Sequence, residues 1–99
     1  MPYFLAKLIP PRPTFPHDIT SSERALMQQH AAYWKDLTAR GTAIAVGPVA
    51  DPAGFWGLAL LDVASETEAR SMLANDPAVT SSLNFKFDIF PISTLLLRQ

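Results

Sequence analysis

The chain has 99 residues, enough for one domain and too few for two of ordinary size. Residues of the AVILMFWYC set make up 48% of it and charged residues 17%, which excludes a disordered chain and leaves apolar surface for a partner copy to cover. The net charge of −1 provides no basic field for nucleic acid or an anionic membrane, and the absence of cysteine excludes disulfides, thiol catalysis and Cys-type metal sites.

Met1-Pro2-Tyr3-Phe4-Leu5-Ala6-Lys7 lacks a basic stretch followed by a long apolar one, so no signal peptide is expected. No apolar run approaches the ~20 residues of a membrane helix, and a cytoplasmic location is expected. Tyr3 to Ile9 is short, mostly apolar and β-permissive, and reads as a strand. Pro10 to Asp18 holds Pro10, Pro11, Pro13 and Pro16, which remove backbone donors and fix φ, so a stiff surface loop follows. Thr20-Ser21-Ser22-Glu23 matches a capping box; nothing then breaks a helix before Arg40, and Gly41 is its natural terminator. Leu26, His30, Trp34 and Leu37 fall at spacings of four, four and three, with Tyr33 beside them. That face is apolar except for His30.

Thr42 to Val49 reads as a second strand ending in Gly47-Pro48, and Asp51-Pro52-Ala53-Gly54 supplies a turn. Phe55 to Val63 is almost continuously apolar, as a central strand is. Ser65-Glu66-Thr67-Glu68 is a second capping box, opening a short helix with Ala69, Met72 and Leu73 on one stripe. Asn75-Asp76-Pro77 stops it. Strict alternation from Leu83 to Ile89 predicts a half-buried antiparallel strand, and Thr94 to Leu97 a fifth strand or an arm. The order β-α-β-β-α-β has one simple compact solution, a four-stranded antiparallel sheet with both helices on one face. This is the α+β, ferredoxin-like split βαβ arrangement, here over a single domain spanning 1–99. Its second face stays bare. Trp56 or its strand neighbours, and Phe90, put apolar groups there, so a homodimer packed sheet against sheet is expected.

His30 carries the most chemical information. An imidazole midway along an apolar stripe is either a core residue bonded to a backbone carbonyl or a general acid–base group. Asp76 closes the stripe of the second helix, so both side chains can meet over the same sheet face. A carboxylate bonded to one ring nitrogen fixes the tautomer, the orienting role of the acid in a His–Asp pair. The simpler role of Asp76 is turn chemistry in Asn-Asp-Pro. Gly47-Pro48 lets a ligand approach the backbone. Ser81 and Ser82 offer hydroxyls near Asp76, but no G-x-S-x-G elbow makes either a nucleophile. Trp34 and Tyr33 suit the core or the wall of an aromatic pocket. His17-Asp18 sits in the proline-rich loop as a solvated pair or part of a lid. The two histidines have no metal-ligand spacing, and phosphate loops and dinucleotide fingerprints are absent, so neither metal nor organic cofactor is expected.

His30-Ala31-Ala32-Tyr33, Gly41, Val46-Gly47-Pro48, Glu68-Ala69, Asn75-Asp76-Pro77 and Phe85 to Pro91 occur in an order and spacing that resembles the YCII-related (YciI-like) family. The resemblance implies a dimeric α/β-barrel of ferredoxin-like protomers with a cleft that contains His30 and Asp76. Most members have no assigned reaction; a dehydrochlorinase of a chlorinated hydroquinone is an enzymatic one, and the fold resembles muconolactone isomerase. The chain departs from the family pattern in its long proline-rich segment. It also has Met27 where relatives often carry Arg, and Ala78 where an aromatic residue usually follows Asp-Pro. Together these readings give a cofactor-independent lyase or isomerase acting on a small cyclic or aromatic compound. His30 and Asp76 are its catalytic pair, and Trp34, Gly47, Pro48 and Ser81 bind substrate. The alternative is a non-catalytic dimeric module that binds a small metabolite or assists a larger enzyme. A purely structural His30 requires a filled interior beside its ring.

Overall fold

Side chains and glycine set the helix ends. In the computed structural model, which describes residues 2–98, the Thr20 hydroxyl accepts from the Glu23 N–H at 3.1 Å and the Glu23 carboxylate accepts from the Thr20 N–H at 3.0 Å. This reciprocal box starts α1 (Ser21–Ala39). At its other end Gly41 takes φ +82°, and the N–H groups of Gly41 and Thr42 bond to the carbonyls of Thr38 and Leu37. These are the two bonds of a Schellman motif, which needs a left-handed residue at this position.

Around α1 the chain forms β1 (Tyr3–Ile9), β2 (Ala43–Val49), β3 (Trp56–Asp62), α2 (Glu66–Ala74), α3 (Pro77–Thr80) and β4 (Lys86–Ile92). The strands make an open antiparallel sheet in the order β2-β3-β1-β4. Phe4 pairs with Leu61, and Ala6 with Ala59 and Ile89, so these residues share one face. Trp34 and Leu37 of α1 and Ala69 and Leu73 of α2 pack on that face with Phe4, Ala6, Ala43, Ala59 and Leu61. A second cluster of Leu8, Leu26, Ala78 and Phe85 continues the core toward the far ends of β1 and α1. On the opposite face Leu5 lies between Leu60 and Phe90, and Phe90 is 47% exposed. Among the described residues, no helix is long and apolar enough to cross a membrane.

The structure departs from the sequence expectations near the C-terminal end. β4 starts at Lys86 rather than Leu83 and runs on to Ile92. Asn84 has φ +68°, a left-handed conformation that no strand continues through, so Leu83 and Phe85 pack inward from a turn. Residues 77–80 form a separate helical turn where only a helix stop was expected. Thr94 to Leu97 form no strand, and Leu96 is 92% exposed. At α2, Ser65 accepts from the Glu68 N–H, one of the two bonds of a capping box.

Candidate active site

Asp76 is fully buried and sits at the N-cap of α3, with Pro77 in the first turn. Its two oxygens do different work. Oδ1 accepts the Ala78 N–H at 2.8 Å and caps the helical turn. Oδ2 takes two bonds from α1, the Trp34 Nε1–H at 2.7 Å and His30 Nδ1 at 2.7 Å. A carboxylate oxygen accepts, so His30 donates from Nδ1, and Nε2 is the ring nitrogen left without a hydrogen bond among the described residues. Burying a charged carboxylate is costly unless its lone pairs are matched, and three N–H donors match them here. The turn chemistry and the His-orienting role of Asp76 therefore coexist, one per oxygen. Tyr33 stacks edge-on against Trp34 and donates its hydroxyl to the Met72 carbonyl at 2.6 Å. Burial, and then the negative charge of Asp76, push the Tyr33 phenol up from its ordinary range, which keeps it a donor to α2.

His30 is 17% exposed in its side chain and lines a cavity of about 800 Å³, within the size range of small-molecule sites. One wall is α1, with Met27, His30, Ala31, Trp34, Lys35 and Thr38. A second is the sheet, with Leu8, Val46, Gly47, Pro48, Gly57 and Ala59. Gly57 leaves room for Leu8: a Cβ there would stand 3.1 Å from the Leu8 Cβ. Phe85 and Phe87 close one end. The interior beside the His30 ring is thus open, the opposite of what a purely structural histidine requires.

The third wall is the proline-rich segment, through Pro10, Phe15, Pro16 and Ile19. Two anchors hold it. Phe15 stacks edge-on against Phe85 with ring centroids 5.4 Å apart. Arg12 forms a fork on buried Glu23, with Nη1 and Nη2 each 2.7 Å from a carboxylate oxygen, while its Nε bonds to Asp18 at 2.9 Å. Bidentate pairing with Arg12, helped by the Thr20 N–H, pulls the Glu23 carboxyl down to about 2. Arg12 and the Thr14 hydroxyl also hold Asp18 below its usual range. The segment is thereby clasped to the first turn of α1. Nothing in the hydrophobic periodicity marks this clasp; the signal available was a lone Arg among prolines, followed by Asp18 and the capping-box Glu23.

Of the residues expected at the site, the structure brings together His30 and Asp76, and sets Trp34, Gly47 and Pro48 on the cavity wall beside them. Ser81 stands apart. It does not line the cavity, and its hydroxyl donates to the Ala78 carbonyl and accepts the Leu83 N–H, because it terminates α3. Ser82 is exposed. His17 is exposed against Phe55 and borders a smaller hollow near Asp51, away from His30. Among the described residues no group of three or more His, Cys, Asp or Glu is placed to hold a metal ion.

A small α+β domain with an open antiparallel sheet and a His–Asp pair at the wall of an apolar hollow defines the class of this molecule. The profile of the YCII-related domain matches residues 4–93, which takes in all the elements of the fold except Tyr3 at the start of β1, and the chain belongs to that family. No curated protein matches the chain in a sequence comparison.

Proposed function

We propose that the protein is a lyase or isomerase in which His30 moves a proton without a metal or organic cofactor. The observation that carries this reading is the 2.7 Å bond from His30 Nδ1 to buried Asp76, beside an 800 Å³ cavity. Asp76 holds the ring by one edge, and Nε2 is the nitrogen left to act. Nε2 takes a proton from a carbon of the guest, and the C–H electron pair becomes a new double bond. In an elimination the leaving group departs with its electron pair; in an isomerisation the imidazolium returns the proton to another carbon. Backbone at Gly47, on the edge strand bordering the cavity, receives the oxyanion that develops. Phe15, Phe55, Phe85 and Phe87 line the cavity besides Trp34, in keeping with a flat cyclic guest.

The proposal extends to the assembly. A ferredoxin-like protomer over 1–99 pairs its bare sheet face with a second copy as a dimeric barrel in the cytoplasm. The apolar row Leu60, Leu5 and Phe90 on that face supports the pairing.

A panel of chlorinated hydroquinones and small cyclic lactones, followed by NMR in D₂O, tests the chemistry. Turnover or C–H exchange is expected for at least one compound. His30→Gln should slow it by 10²–10⁴-fold, or about 3–5 kcal/mol in activation free energy. Full activity in His30→Gln would remove the mechanism. Binding without turnover or exchange would favour the second reading, a metabolite-binding module.

A further inference from the structure

The cavity has an unequal supply of hydrogen-bond donors and acceptors. Its polar side chains are His30, Trp34, Lys35, Thr38 and Trp56. Four of them have their donors engaged elsewhere. His30 Nδ1 and Trp34 Nε1 face Asp76, the Thr38 hydroxyl donates to the Trp34 carbonyl at 2.8 Å, and Trp56 Nε1 donates to Asp51 at 3.1 Å. The Lys35 side chain has no hydrogen bond or ion pair among the described residues. Its three N–H donors are the free side-chain donors of the lining. Among the described residues no carboxylate lines the cavity, although the chain carries nine acidic residues. The near one, Asp76, is sealed behind the His30 ring and matched.

Position on the helix adds a distance. His30 and Lys35 are five residues apart, about 7.5 Å along the α1 axis at 1.5 Å per residue. One helical turn to either side of Lys35 stand Ala31 and Ala39, both on the lining, so no large side chain crowds its stem. Lys35 is an exposed residue of the lining, whereas the imidazole is mostly buried.

We infer that the guest is a monoanionic aromatic acid. Its ring lies among the apolar walls, its acidic group pairs with Lys35 at the rim, and its opposite edge reaches His30. Lys35 is then the specificity-determining residue. The inference rests on reading the cavity as a ligand site, and adds to it the charge of the ligand and the residue that selects it.

A matched pair of probes tests this on the full chain by amide NMR titration at neutral pH: 2-naphthoate and the neutral 2-naphthylmethanol. The naphthoate is expected to bind about fivefold more tightly, the ratio set by one exposed ion pair, with shifts at Ala31, Val46 and Gly57. In Lys35→Gln the two affinities should converge through weakening of the acid alone, and Lys35→Arg should keep the preference. Equal binding of both probes to the unaltered protein, or a preference that survives in Lys35→Gln, overturns the charge selection while leaving the cavity a ligand site. No shift of any cavity amide with either probe overturns both the site and the inference.

Discussion

At the scale of single residues, the molecule turns on one carboxylate oxygen. Asp76 Oδ2 receives both the indole and the imidazole N–H, so the wall of the cavity and the proposed base share an anchor. Asp76→Asn separates geometry from charge. The asparagine oxygen can keep the Ala78 cap, but its amide then meets two donors. His30 should change tautomer to carry its proton on Nε2, and the Trp34 N–H should be left buried and unpaired. The expected cost is about 1–3 kcal/mol of stability by urea denaturation, with a ¹⁵N imidazole spectrum that reports the exchanged tautomer. An unchanged spectrum would mean that Asp76 does not set the ring. Of this arrangement, the sequence made two members legible, because His30 interrupts the apolar stripe of the first helix and Asp76 closes that of the second. Trp34 was legible as a wall only. Its N–H bond to Asp76 depends on how far apart the sheet holds α1 and α3, which no local pattern encodes.

At the scale of elements, the clasp between the proline-rich segment and α1 predicts an acid response. The ordinary value for the Glu23 carboxyl is 4.5 and the folded value about 2. A depressed folded value means that the ionised clasp stabilises the fold fully above about pH 4.5, and that this contribution is lost as the pH falls toward 2. Melting temperature measured against pH should therefore show a gap between the natural chain and Glu23→Gln that is constant above pH 5 and closes between 4.5 and 2. A gap that stays constant throughout would remove Glu23 as the titrating group. Thr20→Ala removes the other half of the cap and should cost about 1 kcal/mol in a denaturant titration. Element positions were largely readable, since caps, Gly41 and alternation are local devices. The misplaced start of β4 and the unforeseen α3 have local causes as well. A single asparagine in a left-handed conformation and a four-residue helix are both too short to register in hydrophobic periodicity.

At the scale of the whole molecule, the helices cover one sheet face and leave Leu5, Leu60 and Phe90 on the other. If that face seats a second copy, sedimentation at micromolar concentration should give a dimer, and Phe90→Asp should shift it toward monomer with the fold retained. A natural chain that sediments only as monomer would end the barrel proposal. The apolar composition is the reason a covered surface is expected, and the strict alternation from Leu83 to Ile89 assigned the residues of β4 to faces. The cleft was implied by the family resemblance, but the way it is closed was not readable. Its third wall comes from a segment whose composition announces only stiffness, and whose placement depends on Arg12 reaching across to Glu23.

The three walls differ in how freely they can be remade. The helix side is tied to the His30–Asp76 pair through Trp34, so any bulkier or smaller ring there drags the imidazole with it. Phe15, Pro16 and Ile19 have no such tie. Whoever wishes to retailor this hollow, by design or by natural drift, can recut the lining along the strap and leave the imidazole where it stands.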